Sequence, residues 1–496
     1  MSKATKIFAT ILPTFRNRES FPAYERTLEE QYVQTLMTNT LANTFYADQT
    51  QLLMEANEIH DQMLKKDPNF AAKAIVYARN EGYMRIQPIY GLAKLSSVRP
   101  ELFAEIFSKV IRIPSDLFDF MTILESMGRG QGGRAIKRAV KLFLREVSEY
   151  WAMKYNGRGR GFNLADVIST AHPIAKDPTQ EALFRYLLNK EADLSLILQI
   201  QAMEKLKSAE TDSERIHWIT AGKLTYEVVT GVIQPSKAVW EAILYQMPTF
   251  ALLRHLNALD RAGVLEGNQD YIAARLTDQI ALQKAKILPF RFVNAFHHVN
   301  APVIKDALRE AVDITFRNVP AVEGKTAIFL DISGSMQGDL LEIGSVFAYA
   351  LYKKTRGHGL FWLFNTEVID AKPSLYDSIL TQASQIKAGG GTDTGAPIKE
   401  LIARKRKVDN IIIITDEQQN SGSHFYSELA RYRKAVNREV IAFIIDIAPY
   451  RSVMVPPQDP NTYYIYGWSD TILQYIANMT QGYAGMVDSI KATEFD

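Results

Sequence analysis

The chain has 496 residues, of which 47% are hydrophobic and 23% are charged, and its formal net charge is +2. A chain of this length exceeds what one hydrophobic core normally organises, so we expect at least two domains. Because the sequence has no cysteine, disulfides, thiolate metal sites and a cysteine nucleophile are excluded.

The N-terminal stretch does not have the pattern of a signal peptide. Its short apolar patch follows Lys3 and Lys6 and ends at Pro13, too soon for a hydrophobic signal core. No window approaches the ~18 uninterrupted apolar residues of a membrane helix. Together with the absence of cysteine, this favours a cytoplasmic protein with no membrane contact.

From about residue 24 to residue 316 the sequence has the pattern of helices. Apolar residues recur every three or four positions, as in "PELFAEIFSKVI" and "RAIKRAVKLFLREVSEYWAMKY". Ser115 and Asp177 are candidate helix N-caps. Many helices without a sheet predict an α-solenoid of stacked helix pairs, with no clean repeat length. We assign this all-α domain to residues 1–320.

After residue 320 the pattern changes to short apolar runs that alternate with helical stretches. The predicted strands are "AIFLDI", "GLFWLFN", "NIIIITD", "VIAFIIDI" and "TYYIYGW". Apolar strands that alternate with helices are typical of a parallel sheet covered on both faces. We therefore expect an α/β doubly wound domain over residues 321–496.

Oxygen-bearing side chains stand where three segments of this second domain end or turn. Ligands bind at the carboxyl ends of parallel strands, and the candidate donors there are Asp331, Ser333, Ser335, Thr392 and Asp416. Carboxylates and hydroxyls without histidine suit Mg²⁺, and also Mn²⁺ or Ca²⁺, rather than zinc. Two carboxylates are few for a closed site, so we expect one open coordination position. The simpler interpretation is that Ser335 is an N-cap, which explains one serine only.

The combination of "DISGS", "GGTDT" and "IIITDE" resembles the metal-ion-dependent adhesion site of von Willebrand factor A domains. The resemblance covers about residues 322–496 and implies that the five residues hold one divalent cation, partly through water. Thr394 is the other hydroxyl of the glycine-rich loop, but Thr392, the first threonine after the glycines, fits the family pattern better.

The most basic segment of the chain lies between Arg129 and Arg160, where nine Lys and Arg residues face only two Glu. Aromatic residues and two glycine-arginine loops accompany these charges. Such a segment is often only a solvated helix face, but arginine on glycine loops grips phosphates and aromatic rings stack on unpaired bases. The candidate RNA-binding residues are Arg129, Arg134, Lys137, Arg138, Lys141, Lys154, Arg158, Arg160, His172 and Lys176.

Five long segments of the first domain, among them "KYNGRGRGFNLADVISTAHP" and "MPTFALLRHLNAL", resemble the TROVE domain of the bacterial-type Ro ribonucleoproteins. In that family a von Willebrand factor A domain follows, as it does here. The resemblance implies a ring of HEAT-like helical repeats that binds Y-like RNAs and the single-stranded 3′ ends of misfolded RNAs, in RNA quality control and stress response. It further implies RNA contacts at Lys154, Arg158 and His172, with Arg158 and Arg160 interchangeable because the loop has an extra residue. A 3′ exonuclease is a partner of bacterial relatives.

Three functions from different classes remain open at this point. The first is a non-enzymatic, monomeric RNA-binding protein. The second is an adhesion scaffold whose cation captures an acidic partner protein. The third is a metal-dependent nuclease, for which the sequence offers neither a second cation site nor a general base.

Overall fold

A computed structural model describes residues 13, 15–38, 49–129, 133–155, 161–285, 287, 290–317, 321–448, 450–457, 459, 461–467, 476 and 486–495. None of the described helices is long and apolar enough to cross a membrane.

The first part of the chain folds into a long series of short helices. They are preceded by strands β1 (Phe15–Arg16) and β2 (Pro22–Glu25). The helices are α1 (Leu28–Met37), α2 (Gln49–Lys66), α3 (Pro68–Asn80), α4 (Ile86–Val98), α5 (Pro100–Val110), α6 (Pro114–Ser126), α7 (Arg134–Leu144), α8 (Glu149–Tyr155), α9 (Leu164–Ala171), α10 (Pro178–Leu187), α11 (Leu198–Ser208), α12 (Asp212–Ala221), α13 (Tyr226–Val232), α14 (Lys237–Leu244), α15 (Thr249–Arg261), α16 (Gln269–Leu276), α17 (Gln279–Ala285), α18 (Phe290–His298) and α19 (Pro302–Thr315).

The second part is an α/β domain. Its elements are β3 (Thr326–Asp331), α20 (Asp339–Lys354), β4 (Leu360–Phe364), β5 (Val368–Asp370), α21 (Ile379–Ala383), α22 (Ala396–Ala403), β6 (Asn410–Thr415), α23 (Phe425–Ala435), β7 (Ile441–Asp446), β8 (Ser452–Val453), β9 (Thr462–Tyr466) and α24 (Met486–Ala492). The main sheet has the order β5-β4-β3-β6-β7-β9 and is parallel except for the edge strand β5. The five predicted strands are confirmed, and β5 was not predicted because three residues carry little pattern.

Both ends of the helical series pack on the α/β domain. At the start, α1 contacts β9, and α3 contacts α24; at the end, α18 contacts α20, and α19 contacts α21. Strand β2 also pairs with β8 of the second domain. The helical pattern was predicted from about residue 24, and before it the chain forms the two short strands β1 and β2, of which β1 pairs with β2 and β2 with β8.

Local details of the helices differ from the predictions in two places. Asp177 caps α10 by accepting a hydrogen bond from the Gln180 backbone, as predicted, whereas Ser115 lies inside α6 and is not its N-cap. The pattern between residues 134 and 155 is not one helix but two. It breaks before α8 because the Ser148 hydroxyl accepts a hydrogen bond from the Trp151 backbone N–H at 3.2 Å.

Candidate functional site

Helix α7 presents an exposed basic surface. Its buried face consists of Ile136, Ala139, Val140 and Leu144, which anchor the helix in the core. The exposed basic residues, here called the α7 basic surface, are Arg134, Lys137, Arg138 and Lys141. Among the described residues none of these four forms an ion pair, so their charges are available to a ligand.

Lys154, on the neighbouring helix α8, differs from these four residues because it has partners inside the protein. Its ammonium group donates to a Glu227 carboxylate oxygen at 2.7 Å and to the Tyr150 hydroxyl at 2.9 Å. It also lies 5.2 Å and 5.4 Å from the ring centroids of Tyr150 and Tyr155. Burial opposes protonation, but these partners raise the pKa of Lys154 above its ordinary value. A phosphate therefore has to compete with Glu227 for this lysine.

Arg129 makes contacts inside the protein. Its guanidinium donates to the Ser96 hydroxyl at 2.9 Å and to the Ala93 carbonyl at 3.3 Å, both near the end of α4. This arginine ties the loop before α7 to α4. Of the ten candidate RNA-binding residues, Arg129 thus has an evident structural role.

The remaining candidates lie after α8. His172 ends helix α9 in the left-handed conformation, with φ 49°, and its side chain is exposed. Lys176 is exposed too, and Ile174 between them is an apolar side chain that is 87% exposed. Arg158 and Arg160 lie outside the described residues.

The predicted cation donors lie at the carboxyl edge of the main sheet. Asp331 ends β3, and one of its carboxylate oxygens accepts from the Ser333 backbone at 2.8 Å while the other accepts from the Thr415 hydroxyl at 2.6 Å. The Ser333 and Ser335 hydroxyl oxygens lie 3.2 Å apart. Ser335 belongs to a 3₁₀ turn (Gly334–Met336), so it is not the N-cap of a following helix. Its hydroxyl is therefore free of that structural role.

The second carboxylate, Asp416, follows β6 directly. Burial and the neighbouring Asp331 carboxylate raise the pKa of Asp416 to about 7, while the Ser335 hydroxyl acts in the opposite direction. Burial also raises the pKa of Asp331. The Oδ2 atom of Asp416 is buried and has no hydrogen-bond partner among the described residues.

Thr392 lies on the adjoining glycine-rich loop. Two backbone hydrogen bonds join this loop to the serine loop, from Gly334 to the Gly390 carbonyl at 3.0 Å and from Gly389 to the Ile332 carbonyl at 2.7 Å. The alternative hydroxyl, Thr394, donates to Gln419 at 2.7 Å and is already used. The structure thus favours Thr392 as the loop donor.

These residues fit a divalent cation of the magnesium type. The described residues contain no group of three or more His, Asp or Glu that could hold a metal, so this site depends on its hydroxyl oxygens. Two buried carboxylates that repel each other and an unpartnered oxygen are conditions that a bound cation relieves. The five side chains are 0% to 5% exposed.

A second polar cluster, the Arg26 cluster, lies at the same edge of the sheet, and no sequence pattern predicted it. Arg26 donates to Glu417 at 2.7 Å, to the Tyr466 hydroxyl at 2.8 Å and to Asp446. Its guanidinium carbon also lies 4.9 Å from the Tyr464 ring centroid. Burial raises the pKa of Glu417 and of Asp446, and Arg26 opposes both shifts.

The segment that carries Arg26 also contacts the loop that follows Asp416. The Asn17 side chain donates to the Gln419 carbonyl at 2.8 Å, and the Arg18 backbone donates to the Gln418 side chain at 2.9 Å. The N-terminal strands therefore cover the sheet edge next to the predicted cation site. One signal was present in the sequence, because Asp446 ends β7 as Asp331 ends β3.

Comparisons with known proteins agree with this architecture. The TROVE domain family matches residues 225–327. The chain is 23% identical to the RNA-binding protein RO60 of Deinococcus radiodurans, over 89% of this chain and 91% of the relative. It is 24% identical to the RNA-binding protein RO60 of Caenorhabditis elegans, over 76% of this chain and 72% of the relative.

A solved structure has the same fold. The crystal structure of the Deinococcus radiodurans RO (RSR) protein superimposes with a TM-score of 0.68 at 21% identity, covering 91% of this chain and 100% of that one. The predicted helical first half and α/β second half are confirmed by this likeness. Together with the TROVE match and the two RO60 relatives, this likeness shows that the chain is similar to Ro proteins in sequence and in fold.

Proposed function

We propose that this chain is a Ro-type RNA-binding protein that holds small structured RNAs on the α7 basic surface. The observation that carries the proposal is that Arg134, Lys137, Arg138 and Lys141 are exposed and form no ion pair with a described residue. Neutralising phosphates releases condensed counterions, and unpaired basic side chains do so without first losing an internal partner. The names of the two RO60 relatives support the same class of ligand.

The finer part of the proposal concerns the RNAs and their fate. We propose Y-like RNAs and the single-stranded 3′ ends of misfolded RNAs as ligands, with roles in RNA quality control and stress response in the cytoplasm. His172 is exposed at the end of α9, where an imidazole can stack on an unpaired base. The protein acts as a monomer in this proposal, and a 3′ exonuclease is its protein partner.

Filter binding tests the RNA ligand. We compare blunt duplex RNA with the same duplex carrying a 3′ single-stranded tail, using the wild-type chain and the His172→Ala variant. We expect tighter binding of the tailed RNA and a loss in His172→Ala that is confined to it. Equal affinity for both RNAs and no effect of the substitution would contradict the proposed recognition of 3′ ends.

We also propose that Asp331, Ser333, Ser335, Thr392 and Asp416 hold one divalent cation, Mg²⁺ first, with Mn²⁺ or Ca²⁺ as alternatives. A bound cation supplies positive charge between the two buried carboxylates. In calorimetry, we expect Asp331→Ala to lose cation binding. The control is Asp409→Asn, which removes a carboxylate charge directly before the first residue of β6, at the opposite end of that strand from Asp416. We expect this variant to keep cation binding. Wild-type affinity in Asp331→Ala would remove the assignment.

The proposed protein is not an enzyme. One cation with two carboxylates lacks the second metal or the positioned base that RNA hydrolysis needs. Purified protein with Mg²⁺ or Mn²⁺ should leave single-stranded and structured RNA intact. Cleavage that disappears in Asp331→Ala would favour the nuclease instead.

The protein-adhesion scaffold is the rival function. It needs an acidic partner group to reach the cation, but the proposed donors are 0% to 5% exposed. That burial leaves little surface for a partner protein and supports the RNA-binding function over this alternative.

A further inference from the structure

A pocket lies at the edge of the main sheet opposite the proposed cation site. Its walls come from the segment that leads into β3, from the turn between α20 and β4, and from the residue directly before β6. These segments stand at the amino ends of parallel strands, whereas Asp331 and Asp416 stand at the carboxyl ends. The pocket, here called the amino-edge pocket, has a volume of about 430 Å³, and its charged or titratable lining residues are Glu323, Lys325, Lys354, Arg356, His358 and Asp409.

Three cationic side chains line the amino-edge pocket, and His358 is a fourth group able to carry positive charge. Lys325 and Arg356 are exposed and form no ion pair with a described residue. More positive charge lies next to the pocket, in the segment that leads to Asp409. The exposed basic residues of that segment without an ion pair to a described residue are Lys405, Arg406 and Lys407.

Lys354 is the half-buried cation of the pocket. Its ammonium group donates to the Arg317 carbonyl at 2.9 Å, a neutral partner, and it forms no ion pair with a described residue. Burial and the neighbouring Arg356 guanidinium lower the pKa of Lys354 below its ordinary value. Two cations that repel each other beside a cavity are a condition that a bound anion relieves.

The two carboxylates of the lining belong to the joint between β3 and β6. The Asp409 side chain accepts from the Lys325 backbone N–H at 2.9 Å, and the Asp409 backbone donates to the Lys325 carbonyl at 2.7 Å. The Glu323 carbonyl accepts from the Asn410 side chain at 2.7 Å, and the Glu323 side chain is exposed. Asp409 therefore has a structural role, and the basic side chains in and beside the pocket outnumber the two carboxylates.

A simpler interpretation is that basic residues follow α20 because they stabilise the C-terminus of that helix. This accounts for Lys354 and Arg356, which lie at the helix end. It does not account for Lys325, which precedes a strand, or for the cavity that these three residues share. The pocket therefore needs an explanation beyond the helix end.

The lining favours phosphate over a nucleobase. It contains no Phe, Tyr or Trp from the described part of the chain, so the His358 imidazole is the one ring there on which a base could stack. Phosphate oxygens, in contrast, are the ligands that ammonium and guanidinium groups bind through strong, charge-assisted hydrogen bonds. The volume lies within the range of about 300–1,000 Å³ that is usual for small-molecule sites.

We propose that the amino-edge pocket binds the diphosphate group of a small molecule, with its oxygens on Lys325, Lys354 and Arg356. A diphosphate carries several charged oxygens, so three cations from two segments can contact it at once. Free pyrophosphate and a nucleoside diphosphate present this same group. The inference does not depend on the proposed RNA-binding function.

The test is calorimetry of the full-length chain with pyrophosphate, ADP and AMP, in the absence of Mg²⁺, which would bind the ligands. Lys325→Gln and Arg356→Gln each remove one charge from the pocket. The control is Lys387→Gln, which removes an equal charge from an exposed lysine beside the glycine-rich loop, at the carboxyl edge. Asp409→Asn removes a negative charge, while its side-chain oxygen can still accept from the backbone N–H. Circular dichroism checks the folding of each variant.

We expect Lys325→Gln and Arg356→Gln to weaken pyrophosphate binding about five-fold each, while Lys387→Gln changes it less than about two-fold. Asp409→Asn should strengthen binding about two- to five-fold, because a repulsive charge is lost. An equal loss in Lys387→Gln would show general attraction to a basic domain and overturn the proposal. Weaker binding in a folded Asp409→Asn variant would overturn it too.

The three ligands define the chemical group and its source. AMP should bind at least about ten-fold more weakly than ADP, because it lacks the second phosphate, and equal binding of the two would overturn the diphosphate assignment. Pyrophosphate binding as tight as that of ADP supports a free diphosphate ligand, and tighter binding of ADP supports a nucleotide. Absence of measurable binding of both to the wild-type chain would overturn the proposal.

Discussion

The Arg26 cluster and the α7 basic surface use the same kind of side chain in opposite ways. Arg26 is 3% exposed and contacts Glu417, Asp446 and Tyr466 across the two halves of the chain. The basic residues of α7 are exposed and unpaired among the described residues. A buried charge is tolerated only with partners, whereas an exposed one leaves the fold almost unaffected. The first arrangement therefore supports architecture, and the second is available to a ligand.

Removal of Arg26 should give the largest effect on stability. Arg26→Met leaves Glu417 and Asp446 buried without their cation, so we expect the free energy of unfolding to fall by about 3–5 kcal/mol. Urea denaturation followed by circular dichroism measures the change. The matched control is Arg138→Met on α7, which should stay within about 0.5 kcal/mol of wild type. A similar small effect in both variants would remove the contrast between the two regions.

His60, in the helical half of the chain, is another buried polar side chain, and it is a titratable one. It is fully buried and its Nε2 lies 3.0 Å from the Gln87 side-chain oxygen, and burial lowers the pKa of His60 to about 4. In the unfolded chain a histidine has a pKa of about 6.5. As the pH falls between these values, the unfolded state gains a proton that the folded state does not. Stability should therefore decrease by roughly 1.4 kcal/mol per pH unit in this window and be unaffected by this group above it.

Denaturation at a series of pH values checks this contribution. His60→Gln retains a polar side chain that can bond to Gln87 but cannot titrate, so its stability should fall less steeply between about pH 6.5 and pH 4. An identical pH dependence in the variant and the wild type would show that His60 does not contribute as described.

Lys154 is intermediate between the two regions, and its variants should give smaller effects. Because Glu227 holds the ammonium group at 2.7 Å, Glu227→Gln should free Lys154 and strengthen RNA binding, while Lys154→Met should weaken it. For a partly exposed pair we expect changes of about two- to five-fold, which correspond to less than ~1 kcal/mol. RNA binding that falls in Glu227→Gln would indicate that the pair itself, and not the free lysine, supports the ligand surface.

The parts of this molecule that sequence could predict are those with local patterns. Strand β6 was predictable because "NIIIIT" is apolar throughout, as a central strand buried on both faces requires. Asp331 and Asp416 were predictable because each stands at the end of such a strand. Helix α7 was predictable from the spacing of its apolar residues, and its exposed charges follow from that face.

The parts that sequence missed depend on distant partners. Arg26 lies 391 residues from Glu417 and 420 residues from Asp446, so no local pattern marks it as buried. Lys154 appears in the sequence as one more cation of a basic segment, and only the fold shows that Glu227, 73 residues away, is its partner. Charge counts therefore identified a basic segment but could not separate paired from unpaired cations.

The salt dependence of RNA binding tests the central claim most directly. We compare the wild-type chain with a variant carrying Lys137→Ala, Arg138→Ala and Lys141→Ala, measuring affinity for tailed duplex RNA over a series of salt concentrations. Each lost phosphate contact should reduce the slope of log K against log salt by about 0.7 to 0.9, so the slope should fall by about 2 or more, with no change in unfolding stability beyond about 0.5 kcal/mol. An unchanged slope in a folded variant would contradict the assignment of the α7 basic surface as the RNA-binding site.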